Sequence, residues 1–170
     1  KAVLVDHQER YGVPGYTNME EMLLGEKLDV VSLCTPSGQH PEQTILAASH
    51  KINVITEKPM ATRWKDGVEM VKACDKARVR LFVVKQNRRN TTLQLLKKAV
   101  DENRFGRIHM VNLNVFWTRP QEYYDMGKWR GTWELDGGAF MNQASHYVDL
   151  IDWLIGPVEK IQAMTGTLAR

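Results

Sequence analysis

Short apolar runs alternate with helical periods over the first half of the chain. Leu28 to Thr35 is a buried-strand run that breaks at Pro36-Ser37-Gly38, and His40 to His50 follows with Ile45, Leu46 and Ala48 on one helical side. Asn53 to Thr56 is a second short strand, stopped by Pro59, and Lys65 to Ala77 carries Val68, Met70, Val71 and Ala73 at helical spacing. Arg80 to Val84 is a third strand, and Thr91 to Asn103 a third clear helix that ends before Phe105-Gly106. A helix-like stretch, Asp6 to Tyr11, stands ahead of them. Strands alternating with helices of this length predict βαβ units and a parallel sheet.

After Gly106 the period changes. Ile108 to Trp117 alternates and predicts a longer strand with two differently used faces. A polar and aromatic stretch, Thr118 to Trp133, follows instead of a crossover helix. Gly137-Gly138 then opens a helix over 139–155, closed by Gly156-Pro157, and Val158 to Thr167 starts another strand. The pattern predicts a second, α+β domain entered near Arg89 to Thr91, with domains over 1–89 and 90–170.

Composition narrows the class without choosing a function. Of the 170 residues, 43% are hydrophobic and 25% charged, as in a globular protein rather than a disordered or fibrous one. No apolar run approaches a bilayer span, and the first residues carry no signal-peptide pattern. Cys34 and Cys74 are the only cysteines, outside any metal-ligand spacing, which predicts a reducing, cytoplasmic setting. The net charge of +3 is too small for a nucleic-acid binder. It is uneven, however: Lys76 to Arg107 holds ten basic residues against Asp101 and Glu102 alone. That excess reads either as a solvated face or as a site for a multiply negative ligand such as a nucleotide-sugar diphosphate.

Three places could carry chemistry. Glu57-Lys58-Pro59 lies just past a strand end, where open α/β sheets bind ligands, and a partly buried Lys58 could move a hydroxyl proton. Taken as an isolated tripeptide, it reads first as a surface Lys paired with Glu57. Asn142 and His146 are four apart on one helix face, with Asp149 three further on. His146 could serve as an acid–base group, or could simply bond Asp149 at the core edge; no spacing supplies a third ligand, so no metal site is expected. Trp117-Thr118-Arg119 and Trp129-Arg130-Gly131-Thr132-Trp133 join aromatics to guanidinium forks, which suits either carboxylate or phosphate recognition or loop packing.

A G-x-G-x-x-G turn, the usual pyrophosphate cradle, is nowhere in the sequence. Either the chain is not a dinucleotide enzyme, or it begins after that unit.

The motifs taken together resemble the Gfo/Idh/MocA oxidoreductase family. They are Tyr11-Gly12-Val13-Pro14 with Tyr16-Thr17-Asn18 and Glu20-Glu21-Met22-Leu23; Asp29-Val30-Val31 running into Thr35-Pro36 and His40; Glu57-Lys58-Pro59; Gln86-Asn87-Arg88-Arg89; and Gly137-Gly138 to His146 and Asp149. Lys85 to Asn90, Phe116 to Pro120, Trp129 to Trp133 and Phe140 to Asp149 resemble its WlbA/WbpB-type branch. That branch uses NAD to oxidise UDP-N-acetylglucosaminuronic acid at C3, towards diacetamido-uronic acids of surface polysaccharides. Another sugar or cyclitol dehydrogenase of the family, or a non-catalytic member, is the alternative.

The resemblance implies a fold and a set of roles. The fold is the C-terminal portion of a Rossmann-type parallel sheet, then the start of an α+β substrate domain with a mainly antiparallel open sheet, through which a homo-oligomer would form. Lys58 would be the catalytic lysine and His146 the second acid–base group. Thr35, Pro36, Ser37, His40, Glu57, Lys58, Gln86, Trp129 and Arg130 would approach the cofactor. Lys85, Asn87, Arg88, Arg119, Asn142 and His146 would face the sugar. Many relatives have Asp where Asn142 stands, which leaves Lys58 and His146 to share the proton transfer. In the family a glycine loop precedes the part seen here and more of the second sheet follows it. The expectation is a part of a longer enzyme, binding NAD weakly or not at all by itself.

Overall fold

A computed structural model of the chain describes residues 2–166. Two compact units emerge, one from the segment up to Val84 with Trp117–Asn142, the other from Lys85–Phe116 with the segment from Gln143 onward.

In the first unit α1 (Ala2–Tyr11) and α2 (Met19–Gly25) precede β1 (Val30–Leu33), β2 (Asn53–Thr56) and β3 (Leu81–Val83), which pair in that order as a parallel sheet. α3 (His40–Ser49) connects β1 to β2, and α4 (Trp64–Ala77) connects β2 to β3; the two helices pack on each other. Val31 lies opposite Val54, and Val54 opposite Leu81, so one row of side chains crosses the sheet on one face. Strand residues alternate sides. Val31, Leu33 and Val54 therefore join Leu23, Ala47 and Ile52 in the core, while Val30 and Phe82 on the other face are 45% and 48% exposed. α2 was not among the predicted elements. Its local signal is Asn18, whose Oδ1 accepts from the backbone N–H groups of Glu20 and Glu21 as an N-cap.

In the second unit a 3-10 turn (Gln86–Arg89) leads into α5 (Thr91–Asp101), capped by Asn90; past the short α6 (Gln121–Asp125) of the first unit, α7 (Ser145–Ile155) packs on both the turn and α5. The helix expected over 139–155 opens as a π turn (Phe140–Ala144) and is α-helical from Ser145. Two expected strands do not form. Residues 108–117 have no ladder partner among the described residues, and neither do 158–166; Thr167 lies outside the described residues. Alternation selects a face, but a strand persists only where another strand accepts its hydrogen bonds. The apolar side chains of that segment are accordingly exposed, Met110 at 83% and Phe116 at 96%. The antiparallel sheet is thus absent from the described residues. No helix among them is long and apolar enough to cross a membrane.

Candidate active site

Parallel strands all point their carboxyl ends to one edge, so the segments leaving β1 and β2 are neighbours there. After β1 come Thr35, Pro36 and a 3-10 turn (Ser37–Gln39); after β2 come Glu57, Lys58 and Pro59. The backbone N–H of Glu57 donates to Leu33 O at 3.0 Å, continuing the ladder one residue past the strand. His40 holds the two exits together. Its side chain is buried, with Nδ1 at 2.9 Å from Pro59 O and Nε2 at 3.0 Å from Thr35 O. The ring therefore bears on two main-chain carbonyls. Ser37 is buried beside it, whereas Thr35 remains exposed and donates to Gln43 Oε1 at 2.6 Å.

The Glu57 carboxylate turns back to accept from the Lys58 backbone N–H at 3.2 Å. The Lys58 Nζ donates to Asn142, at 2.9 Å to the main-chain O and 3.1 Å to Oδ1. Asn142 is buried, and its Nδ2 donates to Asp136 Oδ1. Asp136 also accepts from the Gly131 N–H at 2.9 Å. The loop carrying Asp136 is stitched to the strand exits: Gly38 N–H donates to Leu135 O at 3.0 Å, and Thr62 Oγ1 to Glu134 O at 3.2 Å. A side chain at Gly38 would run into that loop's backbone, with a Cβ 2.9 Å from Leu135 Cα. Glycine is required there by close approach.

The same unit gathers Arg119 and Arg130. Their guanidinium carbons lie 4.9 and 4.3 Å from the centre of the Tyr123 ring, and each also stacks on a tryptophan, Trp117 at 4.0 Å and Trp129 at 4.9 Å. The Nε of each arginine is buried without a hydrogen-bond partner. A buried N–H donor left unmatched is costly, so the pair is suited to an acceptor-rich anion.

In the second unit His146 is buried on α7. Asp149, one turn on, is gripped by Arg88 through Nε at 2.9 Å and Nη2 at 2.7 Å, with Lys85 Nζ at 3.9 Å. That bidentate pairing raises the Arg88 pKa above the ordinary arginine value. Arg88 also lies 5.8 Å from the Trp153 ring centre. Gln86 is exposed and Asn87 half-buried in the turn before α5. Lys85 and Arg88 thus converge on an acidic side chain of their own unit.

Asp136 and Tyr123 had not been singled out from the sequence. The available signals were weak: an acidic residue abutting Gly137-Gly138, and a tyrosine between two arginine-bearing segments.

Residues 1–85 match the model of the oxidoreductase family with an NAD-binding Rossmann fold, and residues 93–170 match the Gfo/Idh/MocA C-terminal domain. The chain belongs to the Gfo/Idh/MocA oxidoreductase family. The parallel three-stranded sheet is the family's Rossmann-type element, and the edge described above fits a dinucleotide, because Thr35 and half-buried Glu57 stand at the carboxyl ends of adjacent strands. Among solved family structures, the WlbA dehydrogenase from Chromobacterium violaceum, in complex with NADH and UDP-GlcNAcA, is 67% identical with a TM-score of 0.95. The WlbA dehydrogenase from Bordetella pertussis, in complex with the same pair, is 62% identical with a TM-score of 0.95. Each alignment covers 99% of this chain and 49% of the other. A myo-inositol 2-dehydrogenase from Thermotoga maritima is 26% identical over 162 residues, 94% of this chain and 46% of the relative. The chain therefore spans about half the length of the family members it matches.

Proposed function

We propose that this chain carries the catalytic residues of an NAD-dependent dehydrogenase that oxidises the C3 hydroxyl of UDP-N-acetylglucosaminuronic acid, a step in making surface-polysaccharide sugars. The observation that carries the reading is Lys58: an amine at the carboxyl edge of a Rossmann-type sheet, donating to two oxygens of Asn142. High identity to two dehydrogenases solved with NADH and UDP-GlcNAcA supports the choice of cofactor and substrate.

Bound NAD supplies the hydride acceptor. Lys58 takes the proton of the hydroxyl being oxidised, for which its amine must be neutral, and His146 is the second acid–base group. Neutral acceptors from Asn142 can orient the amine without the strong hold on its proton that a carboxylate exerts. Thr35, Pro36, Ser37, Glu57 and Gln86 line the cofactor side, and His40 serves it by fixing the two strand exits. Trp129 with Arg130 approaches the nicotinamide end. Arg119 meets the substrate's negative groups, and Lys85, Asn87 and Arg88 complete the sugar side with Asn142. Residues 1–89 form the cofactor domain and 90–170 the substrate domain. Within the latter, the exposed alternating segment 108–117 is an edge on which strands from the rest of the enzyme would build an antiparallel open sheet that also makes a homo-oligomer. Two unpaired thiols suit a cytoplasmic enzyme.

The test is NADH formation by the enzyme that contains this chain, offered UDP-N-acetylglucosaminuronic acid, free glucose and free inositols. Turnover is expected with the UDP-sugar acid and is lost in Lys58→Ala. Preference for a free sugar or cyclitol overturns the substrate assignment, and turnover by Lys58→Ala overturns the catalytic one.

A further inference from the structure

Asp136 is 4% exposed and has no part in the roles above. Both of its carboxylate oxygens are engaged: Oδ2 accepts from the Gly131 backbone N–H at 2.9 Å, and Oδ1 accepts from Asn142 Nδ2. A carboxylate only accepts, so it selects the NH2 end of the Asn142 carboxamide. That choice leaves Oδ1 of Asn142 for Lys58, which donates to it at 3.1 Å. With the carboxamide turned over, an NH2 group would meet the Lys58 amine, donor against donor. Asp136 is itself held by the backbone, since its N–H and that of Gly137 donate to Thr132 O at 3.1 and 3.0 Å. Asn142 is also buried, at 8% exposure, so water is a poor substitute for either partner.

We propose that Asp136 is a positioning residue for the proton transfer: it fixes the orientation of the Asn142 carboxamide and, through it, the place of the Lys58 amine. The proposal rests on the reading of Lys58 given above. An Asp136 that merely anchored the turn at Gly131 would act through stability, whatever residue stood at position 142. One that works through Asn142 has no further effect once that side chain is gone.

The experiment is a double-mutant cycle in the NAD-reducing enzyme, with Asp136→Asn, Asn142→Ala, the two combined, and Lys58→Ala as control. Asp136→Asn is expected to lower kcat about tenfold, because a misplaced catalytic group loses rate rather than substrate affinity, while KM for the UDP-sugar acid changes less than about threefold. In the Asn142→Ala background the same substitution is expected to change kcat less than about twofold, the signature of a shared pathway. Equal losses in both backgrounds, or an unchanged kcat for Asp136→Asn, overturn the proposal. If Asp136→Asn does not fold, the exchange Asp136→Asn with Asn142→Asp restores an amide–carboxylate pair and keeps an acceptor on Lys58. It is expected to turn over faster than Asn142→Ala, and a slower rate overturns the proposal. Activity of Lys58→Ala overturns the reading of the site itself; an inactive Lys58→Ala beside equal losses in both backgrounds overturns the Asp136 role alone.

Discussion

Lys58 Nζ reaches two oxygens of one residue, the main-chain O of Asn142 at 2.9 Å and its Oδ1 at 3.1 Å. Both acceptors are neutral. The two contacts orient the amine through uncharged oxygens, which matters for a group that must shed its proton before it can accept another.

Replacing that neutral partner with a charged one changes the proton's affinity. Asn142→Asp places a carboxylate on Lys58, and an adjacent opposite charge favours the ammonium form by about one to three pH units. The limb of the pH–rate profile on which the base loses its proton is expected to move to higher pH by about one unit or more. At neutral pH the variant is slower and recovers as pH rises. Steady-state rates across a pH series check this; a limb that stays in place argues against Lys58 as the base.

His40 ties the exits of β1 and β2 through Thr35 O and Pro59 O and is 1% exposed. His40→Ala opens a cavity and removes the ring's contacts to the buried Pro59 O and the partly buried Thr35 O, at a cost of about 2–4 kcal/mol of folding stability. Urea titration of wild type and variant measures it. A loss under about 0.5 kcal/mol, the range of ordinary surface substitutions, is the result that excludes a clamp.

Arg119 and Arg130 share Tyr123 and each leaves a buried Nε unmatched. Lysine keeps the charge and loses both the planar fork and the stacking. Arg119→Lys is expected to raise KM for the UDP-sugar acid about tenfold, equivalent to about 1.4 kcal/mol of lost binding. The KM for NAD separates the two arginines. It is expected to rise in Arg130→Lys and to stay unchanged in Arg119→Lys.

The two thiols differ in setting. Cys34 is exposed, whereas Cys74 is buried in α4, where loss of hydration and then the charge of Asp75 push its pKa up. Reactivity follows the thiolate and its access. A disulfide reagent at mildly alkaline pH is expected to label Cys34 quickly in the native protein and Cys74 only on unfolding. Equal rates at the two positions contradict the packing of α4.

The strands and main helices of the nucleotide-binding portion were legible from the sequence because their signals are local. The runs at Leu28 to Thr35 and Arg80 to Val84, and the spacing of Val68, Met70 and Val71, specify period and face without reference to the rest of the chain. Where a pattern needs a distant partner it misleads. Residues 108–117 alternate as a strand should and yet form none, because a ladder requires acceptors from another segment. For Lys58, sequence determined the residue, its place after a strand and its Glu57 neighbour, so pairing with Glu57 was an open alternative. Tertiary structure supplied what the sequence left open: Glu57 accepts from the Lys58 backbone N–H, and the amine reaches Asn142, 84 positions along the chain. It also brought the buried Asp136 behind that amide. Such contacts depend on the direction of side chains after folding, and the hydrogen-bonding group each one meets is set by packing rather than by the period of the chain.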